Sequence, residues 1–136
     1  MEFLKQNVML IGLAIGSGLA LLLPMLSRSV AGIATLSATE AVMLMNRKSA
    51  LVLDVREADE FAQGHLQGAR NVPLSQLSAR LKELEKFRDK PVLVVCQRGK
   101  RAHTAAKLLK AQNFTALNLL KGGMQAWIEA KMPSSK

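Results

Sequence analysis

The 136-residue chain contains a single cysteine, Cys96, followed at once by Gln97, Arg98, Gly99, Lys100 and Arg101. The thiolate, not the thiol, is the nucleophile, and positive charge or a helix N-terminus beside the sulfur favours that form. Backbone N–H groups turned inward by a tight loop, together with the dipole of a following helix, add to the same field. Gly99 supplies the positive φ that such a curl requires. A lone cysteine at the end of an apolar run is otherwise a small buried hydrophobe. Three cations and a glycine within five residues mark this one as a reactive, anion-favouring thiol.

The flanking elements must bring that loop to a defined edge. Val92 to Cys96 are apolar and mostly β-branched, the pattern of a strand buried on both faces. Pro91 stands at its start, where a missing N–H costs little. From Ala102 the spacing turns helical, with Ala102, Ala105, Ala106 and Leu109 on one face. Ala50 to Val55 reads as a second buried strand ending at Asp54 and Arg56, on the carboxyl edge where open α/β sheets bind ligands. Asp54 is expected to fix the loop by accepting backbone N–H bonds, and Arg56 to pair with Asp59 or Glu60.

The remaining pattern alternates. Ser37-Ala-Thr-Glu40 is a capping box opening a helix to about Arg47. Glu57 to Gln63 is a short helix stopped by Gly64, Ala69 to Val72 a brief strand ended by Pro73, and Ser75 to Phe87 a covering helix on Leu77, Leu81 and Leu84. Ala116 to Leu120 is the last strand, and Lys121-Gly122-Gly123 turns into a final helix with Trp127 in the core. His65 is read as a hydrogen-bonded loop residue and His103 as a surface residue, neither of them catalytic. The fold class is α/β, a central and mostly parallel sheet with helices on both faces.

Gln6 to Ser27 carries no charge. As a helix it would extend about 33 Å, enough to cross a bilayer's hydrocarbon core. Residues 1–27 are therefore expected to form a retained transmembrane anchor, the apolar core being long for a cleaved signal peptide. Residues 28–36 are read as a linker, 37–132 as the domain and 133–136 as a tail. The distribution of Lys and Arg around residues 6–27 predicts a single-pass inner-membrane protein with the domain in the cytoplasm and the lipid bilayer as a partner. Net charge is +9, and from Cys96 to Lys136 eight Lys and Arg face one acid, Glu129. With no Tyr and four Phe, the basic surface lacks the aromatic interleaving that stacks bases, so nucleic acid is not expected. One cysteine excludes an intramolecular disulfide. With no P-loop, dinucleotide fingerprint or metal-ligand spacing, no metal or cofactor is expected.

Three ordered segments carry a family resemblance across about residues 36–132. Cys96-Gln-Arg-Gly-Lys-Arg101 resembles the Cys-x-x-Gly-x-Arg active-site loop of rhodanese sulfurtransferases. Leu53-Asp-Val-Arg-Glu57, followed by Glu60 through Pro73 with its Gly64-His65 pair, resembles that family's first signature. Gly122-Gly-Met-Gln-Ala-Trp127 resembles its closing one. The resemblance implies thiosulfate sulfurtransferase chemistry, in which a small anionic sulfur donor loads Cys96 as a persulfide and a thiol or protein acceptor removes the sulfur. It implies that the N–H groups of Gln97 to Ala102 hold the persulfide, that Arg98, Lys100 and Arg101 attract the donor, and that Asp54 is scaffold. Gln97 stands where the family often has Arg, which bears on donor preference. Cysteine phosphatases use Cys-x5-Arg, whereas here four residues separate Cys96 from Arg101, a loop sized for sulfur. The alternative from another class is a membrane-tethered rhodanese-like binding module without turnover.

Overall fold

Three apolar runs and two short edge segments make a five-stranded sheet in the computed structural model, which describes residues 6–9, 12, 15, 33–47 and 49–136. The chain divides into two compact units, residues 1–31 and 32–136. In the second unit the strands lie in the order β1 (Ile33–Leu36), β5 (Ala116–Leu120), β4 (Pro91–Val95), β2 (Leu51–Asp54), β3 (Arg70–Asn71). Every neighbouring pair is parallel. The helices are α1 (Ala38–Met45), α2 (Ala58–Ala62), α3 (Leu74–Leu77), α4 (Lys100–Ala111) and α5 (Gly123–Glu129), with a 3-10 segment at Leu81–Phe87.

Central β4 explains the two layers. Its side chains alternate with the period of two that a strand imposes. Val92, Val94 and Cys96 enter one core with Leu53, Leu84, Ala105 and Leu109. Leu93 and Val95 enter the other with Ala41, Leu66, Met124 and Trp127. Both faces are thus covered, as the continuous apolar run requires. Trp127 is core, 2% exposed.

The capping box at Ser37 forms as the sequence predicts, with Glu40 N–H donating to Ser37 Oγ and Ser37 N–H to Glu40 Oε1, both at 3.2 Å. Elsewhere the structure differs. Ile33–Leu36, read as linker, is edge strand β1 on β5. The single covering helix expected over Ser75 to Phe87 is instead α3 followed by the 3-10 segment. Leu81, Leu84 and Phe87 recur every three residues, so a helix of three residues per turn aligns them on one edge. Residues 133–136 do not dangle. Ser135 and His65 exchange backbone N–H···O bonds of 2.7 Å, and Trp127 Nε1–H donates to the Pro133 carbonyl at 2.9 Å.

The expected anchor, residues 1–27, falls mostly outside the described residues; 6–9, 12 and 15 are helical. Crossing the hydrocarbon core takes about 20 consecutive apolar residues in one helix. Among the described residues no helix is long and apolar enough to do so. On that finding the inner-membrane location, the lipid bilayer as a partner through residues 6–27 and the cytoplasmic placement drawn from them are corrected.

One contact between layers positions the cysteine loop. Gly122 and Gly123 adopt φ of 72° and 63°, which turns the start of α5 onto the end of β4. Met124 N–H then donates to the Cys96 carbonyl at 2.8 Å and Gln125 N–H to the Gln97 carbonyl at 3.0 Å. A Cβ on Gly123 would meet the Cys96 carbonyl oxygen and lie 2.7 Å from the Gln97 carbonyl. Gly123→Ala combines that clash with a left-handed φ and is expected to destabilise the fold by about 2–4 kcal/mol. Urea unfolding of the variant beside the parent chain measures it.

Candidate active site

Neighbouring strands β2 and β4 leave the sheet in opposite directions, β2 toward β3 and β4 through α4 toward β5. Such a switch point opens a crevice at the carboxyl ends of the strands, and Cys96 stands in it, one residue beyond β4. The residue is 1% exposed, and its Sγ accepts the Gly99 N–H at 2.9 Å. Gly99, at φ 108°, is the N-cap of α4, so the positive end of that helix points into the same loop. An amide donor and a helix terminus aimed at sulfur stabilise negative charge there.

A cavity of about 250 Å³ opens over the sulfur, lined by Cys96, Gln97, Arg98, Lys100 and Arg101. Arg98 and Lys100 are exposed on its rim. Ala102 does not line it; that side chain is buried in the core beneath α4. His103 is exposed on α4. Among the described residues no group of three His, Cys, Asp or Glu could hold a metal ion.

Beneath the loop lies a buried ion pair. The Asp54 and Arg56 side chains are 1% and 4% exposed. Asp54 Oδ1 accepts the Arg56 backbone N–H and Nε–H, both at 3.0 Å, and Oδ2 accepts Nη2–H at 2.8 Å. Asp54 thus fixes its loop through a backbone N–H, as the sequence suggests, but Arg56 pairs with Asp54 and not with Asp59 or Glu60. The guanidinium also donates to the Gly64 carbonyl at 2.7 Å and to Gln97 Oε1 at 3.2 Å. Asn71 Nδ2 closes the corner by donating to the carbonyls of Asp54 and Arg56. His65 stacks on Phe61, ring centroids 3.7 Å apart, and its Nδ1 lies 2.8 Å from the Phe61 carbonyl. These contacts commit the ring to Phe61, beside the Gly64 whose carbonyl Arg56 holds.

Glu60, which the sequence offers to Arg56, instead serves Arg101, a pairing that sequence reasoning missed. Its carboxylate accepts two hydrogen bonds from Arg101, 2.6 Å from Nη1 and 2.9 Å from Nη2. Residues 41 apart meet here because α2 and α4 leave neighbouring strands at one edge. The pair pins Arg101 as a wall of the cavity and offsets its charge. Arg98 and Lys100 remain outside any ion pair among the described residues. The Arg101 guanidinium, first by hydrogen bonding and then by its charge, lowers the Glu60 carboxyl from the usual 4.5 to about 2, helped by the Glu57 N–H and opposed by partial burial. Hydrogen bonding to Glu60 raises the Arg101 pKa, opposed by partial burial and helped by the Glu60 charge.

A parallel five-stranded sheet with a cysteine loop at its switch point defines a class of α/β cysteine-loop domains. Residues 37–130 match the rhodanese-like domain model, and the chain belongs to that family, which is of the sulfurtransferase type. It is 43% identical over 89 residues to the uncharacterized protein YqhL of Bacillus subtilis, covering 65% of this chain and 69% of that one. It is 34% identical over 95 residues to the thiosulfate sulfurtransferase GlpE of Shewanella oneidensis, covering 70% and 92% respectively. Among solved structures, a rhodanese-related protein of Thermoplasma volcanium superposes with a TM-score of 0.67 at 32% identity, covering 75% of this chain and 97% of that one. A thiosulfate sulfurtransferase of Pseudomonas aeruginosa superposes at 0.66 and 32% identity, covering 76% of this chain and 20% of that one.

A carboxyl lowered on folding stabilises the fold above its unfolded pKa and loses that contribution as pH falls through the folded value. The Glu60–Arg101 contribution is therefore complete above pH 4.5 and lost toward pH 2. For a partly exposed bidentate pair it amounts to about 0.5–1 kcal/mol. Urea midpoints of the chain and of Glu60→Gln, followed down this range, are expected to converge as the acid is protonated.

Proposed function

We propose that the protein is a sulfurtransferase that carries sulfane sulfur on Cys96 between an anionic donor such as thiosulfate and a thiophilic acceptor. The Cys96 thiolate attacks the outer sulfur of thiosulfate, the S–S bond of the donor breaks, and sulfite leaves with the bonding pair. Cys96 then holds a persulfide. An acceptor, cyanide in a test reaction or a thiolate otherwise, attacks the terminal sulfur and returns the electron pair to Cys96. Two half-reactions through a covalent intermediate give ping-pong kinetics.

The observation that carries this reading is the Gly99 N–H directed at Cys96 Sγ at 2.9 Å, under a cavity rimmed by Arg98 and Lys100. The donor stabilises anionic sulfur before and after loading, and the unpaired cations draw the anionic donor. The 250 Å³ cavity has room for a small donor over the sulfur. Relatives named thiosulfate sulfurtransferase support the same reading.

Incubation with thiosulfate is expected to add the mass of one sulfur atom to the intact chain, and Cys96→Ser to abolish both that addition and thiocyanate formation with the circular dichroism unchanged. Sulfur transfer surviving in the folded Ser variant would remove Cys96 as the nucleophile. A chain that never takes up sulfur from any donor would leave a docking module as the better description. Replacing Arg98 and Lys100 by Ala is expected to raise KM for thiosulfate about three- to tenfold at low salt, an effect that shrinks as salt screens the rim. Transfer from a neutral organic trisulfide should change little; equal loss with both donors would mean the rim shapes the loop and does not read charge.

A further inference from the structure

The cationic rim does not end at the cavity. Lys100, His103, Lys107 and Lys110 are all exposed on α4. Their spacing of three, four and three residues confines them to about 80° of the helix surface. They form one stripe that begins at Lys100 on the cavity wall and runs about 15 Å away from it. No acid interrupts the stripe. From Lys90 to Ile128 there are seven Lys and Arg and no Asp or Glu. Lys100, Lys107 and Lys110 take part in no ion pair among the described residues. A small donor anion over Cys96 is served by Arg98 and Lys100 and does not extend to Lys107 or Lys110.

We infer that this α4 stripe docks an acidic protein whose own cysteine takes the sulfur from Cys96. The inference rests on the sulfurtransferase reading and names its acceptor class. A protein is the occupant the geometry favours, because the charge begins at a cavity that admits a side chain, and only a partner with a thiol draws benefit from contact there. Nucleic acid offers the negative charge but no thiol, and no aromatic residue lies on the stripe to stack a base. In the transfer the acceptor thiolate attacks the terminal sulfur of the Cys96 persulfide. The Cys96 S–S bond breaks with its electron pair returning to Cys96, and a new S–S bond forms on the acceptor. One persulfide and one thiolate enter and leave, with no oxidant or reductant needed. Complementary charge at such a rim acts chiefly on encounter and specificity, and it weakens with salt.

The test uses the full chain and two labelled peptides of equal length, each with one cysteine, flanked in one by Glu and in the other by Lys. Fluorescence anisotropy is expected to show the Glu peptide bound at least about tenfold more tightly at low salt, with the difference falling as salt rises. Lys107→Glu with Lys110→Glu should lower Glu-peptide affinity and sulfur transfer to it by about tenfold, while thiosulfate-to-cyanide turnover stays unchanged. Failure of thiosulfate to load Cys96 is seen in the intact mass before any peptide is added, and it strikes the sulfurtransferase reading together with the transfer step. A loaded chain that binds both peptides alike, or binds the Glu peptide and passes it no sulfur, overturns the docking inference alone. Duplex DNA bound more tightly than the Glu peptide, and released by the same substitutions, would assign the stripe to nucleic acid and overturn it as well.

Discussion

A guanidinium buried as deeply as that of Arg56 must find an acceptor for each N–H it turns inward, and the site is arranged around that requirement. Removing water from a charge costs several kcal/mol unless a counter-charge and well-placed acceptors replace it. Asp54 supplies the counter-charge from the end of β2, the Gly64 carbonyl an acceptor from the loop after α2, and Gln97 another from the loop after β4. The end of β2, the loop after α2 and, 41 residues on from Arg56, the loop after β4 are thereby tied to one planar group. Arginine suits the place because its donors have a fixed, planar fork geometry, which the compact ammonium of a lysine lacks.

The sulfur sits where the two layers of the domain meet. The Cys96 side chain belongs to the core beneath α4, while its carbonyl is held by the N–H of Met124 from α5 on the other face. The loop therefore needs no lid to define its shape. It is bonded from below by Arg56, from behind by α5 and from within by Gly99, and the open side faces solvent through the cationic rim. Charge is partitioned around it: Arg101 is committed to Glu60, and Arg98 and Lys100 are left to act outward.

How far the sequence could be read depended on whether a feature was local. The run at Val92–Cys96 is apolar without interruption and that at Ala116–Leu120 is broken only by Asn118, so their strands and the loop between β4 and α4 were legible from residue type alone. The capping box at Ser37 is written in four consecutive residues. Edge strand β1 was not legible, because Ile33–Leu36 is short, keeps Thr35 exposed and follows a long uncharged stretch that draws attention to itself. The 3-10 segment was hidden because Leu77, Leu81 and Leu84 also satisfy the α-helical spacing. Partner choice was the hardest to read. Arg56 has four acids within four residues, Asp54, Glu57, Asp59 and Glu60, and only the fold delivers Glu60 to Arg101 and leaves Asp54 for Arg56. The expected anchor came from composition alone, and no described helix has the length it demanded.

Strand order also sets a timetable for assembly. β1, near the start of the domain, pairs with β5, the last strand to be made, and the bonds that fix Cys96 and Gln97 come from α5, which follows β5. Contacts this distant along the chain form late, since the entropy of closing a long loop is lost before the pairing returns anything. On the ribosome, β4 and its cysteine emerge well before the residues that seat them. The nascent domain therefore passes through a period in which its thiol is an ordinary exposed cysteine. The loop takes its final seat when the last helix docks and the N–H groups of Met124 and Gln125 bond the Cys96 and Gln97 carbonyls.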